Sequence, residues 1–143
     1  MPVLNLVEYV FPVVTCRANP QCPDRTEDIK PPSVRIANRI AVSDQDENIY
    51  RLTLDIVFGD NNNVSSYTGD VRVVGLFIVH QDVQNKEAVV LLNGSSVLYS
   101  AAREFILSIT SRGPNIPCML PQVRFRTIKK KQEIASRKID AGS

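Results

Sequence analysis

The sequence predicts an α+β fold, a four-stranded antiparallel sheet with helices packed on one face. Four strand-like segments occupy residues 1–83, and only short polar turns separate the last three of them, which indicates an antiparallel meander. The clearest helical pattern follows within residues 84–141, together with a proline-marked segment. A chain of 143 residues is long enough to bury a core, so we expect a single domain, 1–143.

Each of the first three strands is predicted from its apolar pattern. The first covers residues 3–18 and contains Pro12, which is tolerable only at a sheet edge or a bulge, so we expect an edge strand. The second covers residues 34–43 and alternates apolar with polar side chains. The third alternates most cleanly, with apolar side chains at Tyr50, Leu52, Leu54, Ile56 and Phe58. One sheet face should therefore be buried and the other at least partly exposed to water.

The fourth strand, predicted over residues 67–83, is apolar on both faces. Its two faces carry Val71, Val73, Phe77 and Val79 on one side and Val74, Leu76 and Ile78 on the other. One layer of helices covers only one of these faces. The second face therefore favours burial against another copy of the chain. A second layer made by the first strand or a loop is the alternative.

Two connecting segments have recognisable signals. Residues 18–33 hold four prolines and a cluster of charges, which predicts a long irregular connection between the first two strands. Residues 82–92 are compatible with a short helix that begins at Asp82 or Asn85 and ends at Asn93-Gly94.

The main helix is predicted between two end signals. Ser95 or Ser96 can cap its first turn, Gly113 can close its last turn in the left-handed conformation, and Pro114 prevents continuation. Its apolar face consists of Leu98, Ala102, Phe105, Ile106 and Ile109. Pro114, Pro117 and Pro121 then favour a stiff extended arm, whose function is either that of a rigid connector or that of a binding element.

The composition gives little support to catalysis or to a bound cofactor. No nucleophile motif, phosphate-binding loop or metal-ligand spacing is present, and His80 is expected to be packed or hydrogen-bonded in an apolar strand. The cysteines are Cys16, Cys22 and Cys118, of which Cys16 and Cys22 flank a loop and could pair, although reduced thiols are the default in the cytosol. We therefore expect a protein that is not an enzyme and needs no metal.

Charge and hydropathy also limit the partners. There are 17 basic and 15 acidic residues, so the total charge does not draw the chain to nucleic acid or to membranes. From residue 123 onward the pattern is helix-compatible, and its basic run from Lys129 to Lys138 is typical of a solvated helix face, with nucleic-acid contact as the alternative. The N-terminal segment lacks a basic start and an unbroken apolar run, which predicts neither a signal peptide nor a membrane span and favours the cytoplasm.

Residues 94–125 resemble the C-terminal half of the SecB family of protein-export chaperones. The resemblance rests on Ala102-Arg103-Glu104, Ser108, Ser111-Arg112-Gly113, the proline-spaced arm and Val123-x-Phe125. The glycine-glycine-x-phenylalanine element of the family appears as Val74-Gly75-Leu76-Phe77, with one glycine fewer. Ser100 and Ala101 stand where the family usually has a proline and an aromatic residue.

The resemblance implies assembly through the sheet into a dimer of dimers, and a client groove between a crossover loop and the C-terminal helix. Pro20 to Pro32 would be that loop. The residues expected to line the groove are Ile29, Leu98, Tyr99, Ile116, Met119, Leu120, Phe125 and Ile128. Asp70 matches an acidic position through which family members dock to the translocation motor SecA, but Arg72 beside it and the lysine-rich tail depart from that acidic pattern.

The function expected from these observations is binding. We expect an ATP-independent holdase that keeps unfolded or nascent polypeptides from aggregating through many weak apolar contacts, for export or as a solitary SecB-like chaperone of a toxin–antitoxin pair. Two alternatives are an oligomeric scaffold that binds a fixed partner through the second apolar sheet face, and a nucleic-acid-binding protein that uses the basic run.

Overall fold

A four-stranded antiparallel sheet backed by one long helix forms the protein, which confirms the predicted fold class. The computed structural model describes residues 3–22, 32–59 and 65–125. Its strands are β1 (Leu4–Ala18), β2 (Val34–Val42), β3 (Ile49–Phe58) and β4 (Tyr67–Val79). They lie in the order β1-β4-β3-β2, so the last three form the predicted meander and β1 and β2 lie at opposite edges of the sheet.

Strand β1 is the edge strand that Pro12 predicted. It pairs with β4, and its register shifts between Leu6 and Glu8 and again between Val10 and Val13. Pro12 lies in the second irregularity, where a missing N–H costs no regular ladder bond. Pro12 thus occupies both an edge strand and a bulge.

One face of the sheet forms the core. On β3, Leu52, Leu54 and Ile56 are fully buried while Arg51 and Thr53 point the other way. On β4 the buried side chains are Tyr67, Val71, Val73, Phe77 and Val79, which are the apolar set predicted for one face, with Tyr67 added. The face that carries these side chains packs against the helix, and we call the opposite one the open face.

The helical region is one continuous segment rather than two helices. Helix α1 (Lys86–Val89) runs through a π-helical segment (Val90–Gly94) into α2 (Ser95–Thr110). The predicted stop at Asn93-Gly94 is wrong, because Gly94 keeps helical angles and a Cβ there would lie 3.0 Å from Leu52 Cδ2. Glycine at this position allows the helix to pack closely on the sheet. Neither Ser95 nor Ser96 makes the predicted capping bond.

The fourth strand ends at Val79, earlier than predicted, and a turn connects it to α1. The backbone turns after Val79, with His80 accepting a hydrogen bond from Val83 N at 3.0 Å through its carbonyl. The imidazole Nδ1 of His80 also accepts from Asp82 N at 3.2 Å. Asn85 then enters the helix with a left-handed backbone, φ 57°. His80 is therefore hydrogen-bonded in a turn and does not lie in a strand.

A polar junction fixes the end of α2 and the start of the arm. The side-chain amide of Asn115 donates to the carbonyls of Asn19 and Ser66, each at 2.8 Å, and Asn115 N donates to Tyr67 Oη at 3.1 Å. Gly113 passes directly over the Tyr67 hydroxyl, because a Cβ on it would lie 2.0 Å from that oxygen. Its predicted left-handed conformation is wrong: Gly59 is the only glycine with positive φ among the described residues.

We expect Gly113→Ala to lower the free energy of unfolding by about 2–4 kcal/mol, because the new methyl group must displace Tyr67 or the arm. In a Tyr67→Phe background the nearest obstacle becomes the ring carbon, 2.9 Å from the Cβ position, so the same substitution should cost less. Urea unfolding of the four proteins in this double-mutant cycle measures the difference.

Ser108→Ala, an exposed change on α2, serves as the control and should shift stability by less than about 0.5 kcal/mol. An equal cost of Gly113→Ala in both backgrounds would show that the hydroxyl is not what requires a glycine.

Candidate functional site

The arm that follows α2 lies antiparallel to the helix and is held by three side chains of α2. Thr110 Oγ1 accepts from Cys118 N at 2.9 Å, and Arg103 Nε donates to the Leu120 carbonyl at 2.9 Å. Tyr99 Oη donates to the Pro121 carbonyl. The three side chains lie along one side of α2, and their partners follow in the opposite order along the arm. The contacts therefore fix both the position and the direction of the arm.

Apolar side chains of the arm complete this attachment. Cys118, Leu120 and Phe125 are all buried, and the Phe125 ring meets that of Tyr99 edge-on at 5.9 Å. Burial raises the pKa of both Tyr99 and Cys118 to about 12. Both groups are therefore neutral near neutral pH, and the arm closes over the core without introducing a charge.

The outer side of the arm and the neighbouring face of α2 form a groove. Met119 is 60% exposed on this side, although its two neighbours along the chain are buried. Two depressions of about 420 and 300 Å³ follow the helix and share Ser100 and Arg103 as lining residues. The remaining lining residues are Ser96, Tyr99, Glu104, Leu107, Met119, Gln122, Val123, Arg124 and Phe125. We call this feature the α2–arm groove.

The predicted groove residues fall into three groups. Met119 lines the groove and is exposed, while Tyr99 and Phe125 line it with the edges of largely buried rings. Leu98 and Leu120 are buried in the core, and Ile116 is half-buried. Ile29 and Ile128, the middle of the Pro20–Pro32 connection and the Lys129–Lys138 run all lie outside the described residues. Contact of any of these residues with a client remains a prediction.

Sequence reasoning missed several residues of the groove. Ser96, Ser100 and Leu107 project from the outer side of α2, and the helical pattern was informative only for the side that faces the core. Arg103 was noted as part of a family motif, but its bond to the arm depends on where the arm runs. The spacing of residues along α2 carries no information about the course of the arm.

A second apolar surface follows strand β1 on the helix side of the sheet. Phe11 stacks on Phe105 of α2 at 4.6 Å, and Tyr9 meets Phe11 edge-on at 5.7 Å. Val97 and Tyr9 are substantially exposed. We call these four residues the β1 strip. It adjoins the outer edge of β1, which has no strand partner among the described residues.

The remaining residues considered in the sequence are the cysteines, the potential metal ligands and Asp70. Cys16 and Cys118 are free thiols, so the disulfide between Cys16 and Cys22 that the sequence allowed is not formed. No group of three or more potential metal ligands occurs among the described residues. None of the described helices is long and apolar enough to cross a membrane. Asp70 lies on the open face, where its carboxylate accepts from Thr15 Oγ1 at 2.9 Å.

Solved structures share this fold of a four-stranded antiparallel sheet and one long helix. The SecB-like chaperone Rv1957 of Mycobacterium tuberculosis, in complex with a ChAD peptide from the HigA1 antitoxin (Rv1956), superposes with a TM-score of 0.63 at 12% identity, covering 84% of this chain and 90% of that one. A protein of unknown function from Streptococcus agalactiae superposes with a TM-score of 0.52 at 8% identity, covering 84% and 97%.

The chain belongs to the SecB family. Residues 16–135 match the family model of the preprotein translocase subunit SecB, which confirms the resemblance found in residues 94–125 and extends it over most of the chain. Members of this family are chaperones. No curated protein sequence matches the chain.

We expect Thr110→Val to loosen the arm, because the buried Cys118 N–H would lose its acceptor at a cost of about 1–3 kcal/mol. The readout is alkylation of Cys118 in a protein whose other two thiols are replaced, Cys16→Ser and Cys22→Ser. At about pH 8 the parent should react slowly, since the thiol is buried and its raised pKa leaves little thiolate. Thr110→Val should react several-fold faster.

Ser108→Ala in the same background is the control, because its side chain is exposed on α2. Equal alkylation rates for Thr110→Val and the parent would mean that this hydrogen bond does not hold the arm in place.

Proposed function

We propose that the protein is an ATP-independent holdase that binds extended segments of unfolded or nascent polypeptides in the α2–arm groove. The observation that carries the proposal is Met119, a large apolar side chain left exposed on an otherwise anchored arm in a member of the SecB family. A solvent-exposed methionine beside two open depressions is a favourable contact for varied apolar side chains, because its thioether adapts its shape.

The arm is suited to extended clients because its own backbone is already extended. Its prolines and three helix contacts fix its conformation before a client arrives, so binding orders the client alone. Ser96, Ser100 and Arg103 along the helix side add polar groups that can pair with a client backbone. Such contacts are individually weak and depend little on the client sequence, so affinity comes from their number.

Release without ATP follows from the same weakness. We propose that clients exchange on and off the groove by mass action and leave when they fold or are captured by a downstream partner. The protein would act in the cytoplasm and perform no catalysis.

Assembly through the sheet is the second part of the proposal. The edge of β1, which pairs with no other described strand, and the adjoining β1 strip, in which Tyr9 and Val97 are exposed, form a continuous surface. Pairing of two β1 edges would extend the sheet across two copies, and packing of the β1 strips would join these pairs into the expected dimer of dimers. Each assembly would then present several grooves to one long client.

Two downstream roles are compatible with the groove. Delivery to the SecA motor would use Asp70, but the neighbouring positions on the open face are rich in arginine. The alternative is a chaperone that holds an unstable antitoxin, and the shared fold with a SecB-like chaperone that binds an antitoxin peptide supports it. We favour this second role for the groove.

The holdase proposal predicts that the wild-type protein delays aggregation of a chemically unfolded client in the absence of ATP. Met119→Glu should weaken this protection several-fold, because a carboxylate would replace the apolar contact in the groove. Light scattering after dilution of the client from denaturant measures the protection.

Val42→Glu is the matched control, since it adds the same charge at a valine that is 50% exposed at the end of β2. The proposal fails if the folded wild-type protein gives no protection, and the location in the groove fails if Met119→Glu and Val42→Glu behave alike.

The assembly proposal predicts a dimer or tetramer in sedimentation velocity experiments. Val97→Glu should shift the population toward smaller species, because it buries a charge in the β1 strip, while Val42→Glu should sediment like the wild type. A wild-type chain that sediments as a monomer at micromolar concentration would contradict assembly.

A further inference from the structure

The charged residues of the four strands all lie on the open face. Cross-strand pairing places Arg17 opposite Thr68, Asp55 opposite Arg72, and Arg51 opposite Leu76, all pointing away from α2. The full set is Arg17, Arg35, Arg39, Arg51 and Arg72 with Glu8, Asp55 and Asp70. The open face therefore has a positive balance, and all of its cations are arginines.

Two of the three carboxylates on this face are already engaged. Asp55 accepts a hydrogen bond from Arg72 Nε at 2.7 Å, and this bond raises the pKa of Arg72. Asp55 also lies 3.6 Å from Arg39 Nη2. Asp70 accepts from the Thr15 hydroxyl. By contrast, Arg17, Arg35 and Arg51 form no ion pair with any described residue. Three guanidinium groups on this face are thus without an ionic partner in the part of the chain that the structure describes.

An apolar area lies beside Arg51, near the end of β4, whereas Arg17 and Arg35 lie near the beginning of that strand. Val10 is 56% and Ile78 41% exposed, and Val74 and Leu76 occupy the β4 positions between them. Next to this area the face is concave: two depressions of about 670 and 230 Å³ meet at Val57 and Asp70, and Arg17 and Arg35 line the larger one. The open face therefore combines exposed apolar side chains, a hollow and unpaired arginines.

We propose that the open face is a second docking surface, separate from the α2–arm groove, and that it binds an acidic polypeptide segment with apolar residues interspersed among its carboxylates. Arginine suits this partner because its planar guanidinium pairs with carboxylates through two hydrogen bonds and is weakly hydrated. The valines, Leu76 and Ile78 accept the apolar residues of the same segment.

Charge favours this partner over two other molecules that could bind such a surface, a second copy of the chain and nucleic acid. A second copy would bring the same excess of arginines against this one, so face-to-face self-association is opposed. Nucleic acid would place phosphates over the apolar area and beside Glu8, and the described strands present no aromatic side chain on this face for stacking. An acidic, partly apolar polypeptide matches both the charges and the apolar side chains.

The test uses fluorescence anisotropy with a labelled peptide of repeated Glu-Leu-Glu-Ser units and a matched Lys-Leu-Lys-Ser peptide. The wild-type protein should bind the glutamate peptide and not the lysine peptide. Arg51→Glu should weaken that binding about tenfold, since it replaces attraction by repulsion in the open face. Arg112→Glu, which makes the same charge change at the exposed end of α2, should bind like the wild type.

Further variants separate this surface from the groove. Met119→Glu should retain the glutamate peptide, and Arg51→Glu should retain protection of unfolded clients, so the docking surface and the holdase proposal can fail independently. The docking proposal is overturned if both peptides bind equally, if Arg51→Glu binds as tightly as Arg112→Glu, or if single-stranded DNA or phosphatidylserine vesicles bind more tightly than the peptide and lose binding in Arg51→Glu.

Discussion

One helix can cover only part of one face of a four-stranded sheet, and this constraint generates every surface of interest in the protein. The outer strands of such a sheet are about 14 Å apart and a helix is about 10 Å wide with its side chains. Helix α2 therefore needs a second layer beside it. The arm supplies that layer on one side, where Leu120 and Phe125 are buried. On the other side no described residue covers Tyr9 and Val97 of the β1 strip, which are exposed.

The course of the arm depends on a small number of polar contacts. At its start Asn115 connects the chain after α2 to the carbonyls of Asn19 and Ser66, and thus to the ends of β1 and β4. Further along, the hydroxyl of Thr110 accepts from the arm backbone. Buried contacts of this kind are costly to leave unsatisfied, so they select one path among the many that three prolines would allow. The groove exists because that path keeps Met119 on the outside.

The sequence predicted the sheet and the family well because both depend on local or contiguous patterns. Alternation along β3 and the position of Pro12 predicted a half-buried strand and an edge strand, and the residues from 94 to 125 predicted the SecB family. The helix boundaries were predicted less well. Gly94 and Gly113 were interpreted as signals for the ends of helices, whereas both are glycines because Leu52, Phe77 and Tyr67 approach them from distant parts of the chain.

The same limitation applies to the site. Leu98 was predicted to line the groove because it is apolar and lies in the matching segment, yet its side chain points at Gly75 across the sheet interface, 2.8 Å from where a Cβ would be. Helical periodicity identifies an apolar face but does not say whether a sheet or an arm covers a given residue on it. Met119 is exposed because it lies on the extended arm between two residues, Cys118 and Leu120, whose side chains are buried.

The two proposed binding surfaces lie on opposite sides of the sheet, and this arrangement has a mechanical consequence. A client in the α2–arm groove contacts the helix and the arm, whereas a segment on the open face contacts side chains of the strands that point away from them. The side chains of β3 alternate between the two sides of the sheet. Leu52 and Leu54 point towards the helix, and Arg51 and Thr53 lie on the open face. Since the surfaces share no side chain, both can be occupied together, and coupling between them would have to pass through the sheet itself. Coupling would require a second arrangement of the sheet that one ligand favours. Since β2, β3 and β4 pair in one continuous register, we expect the two sites to bind almost independently.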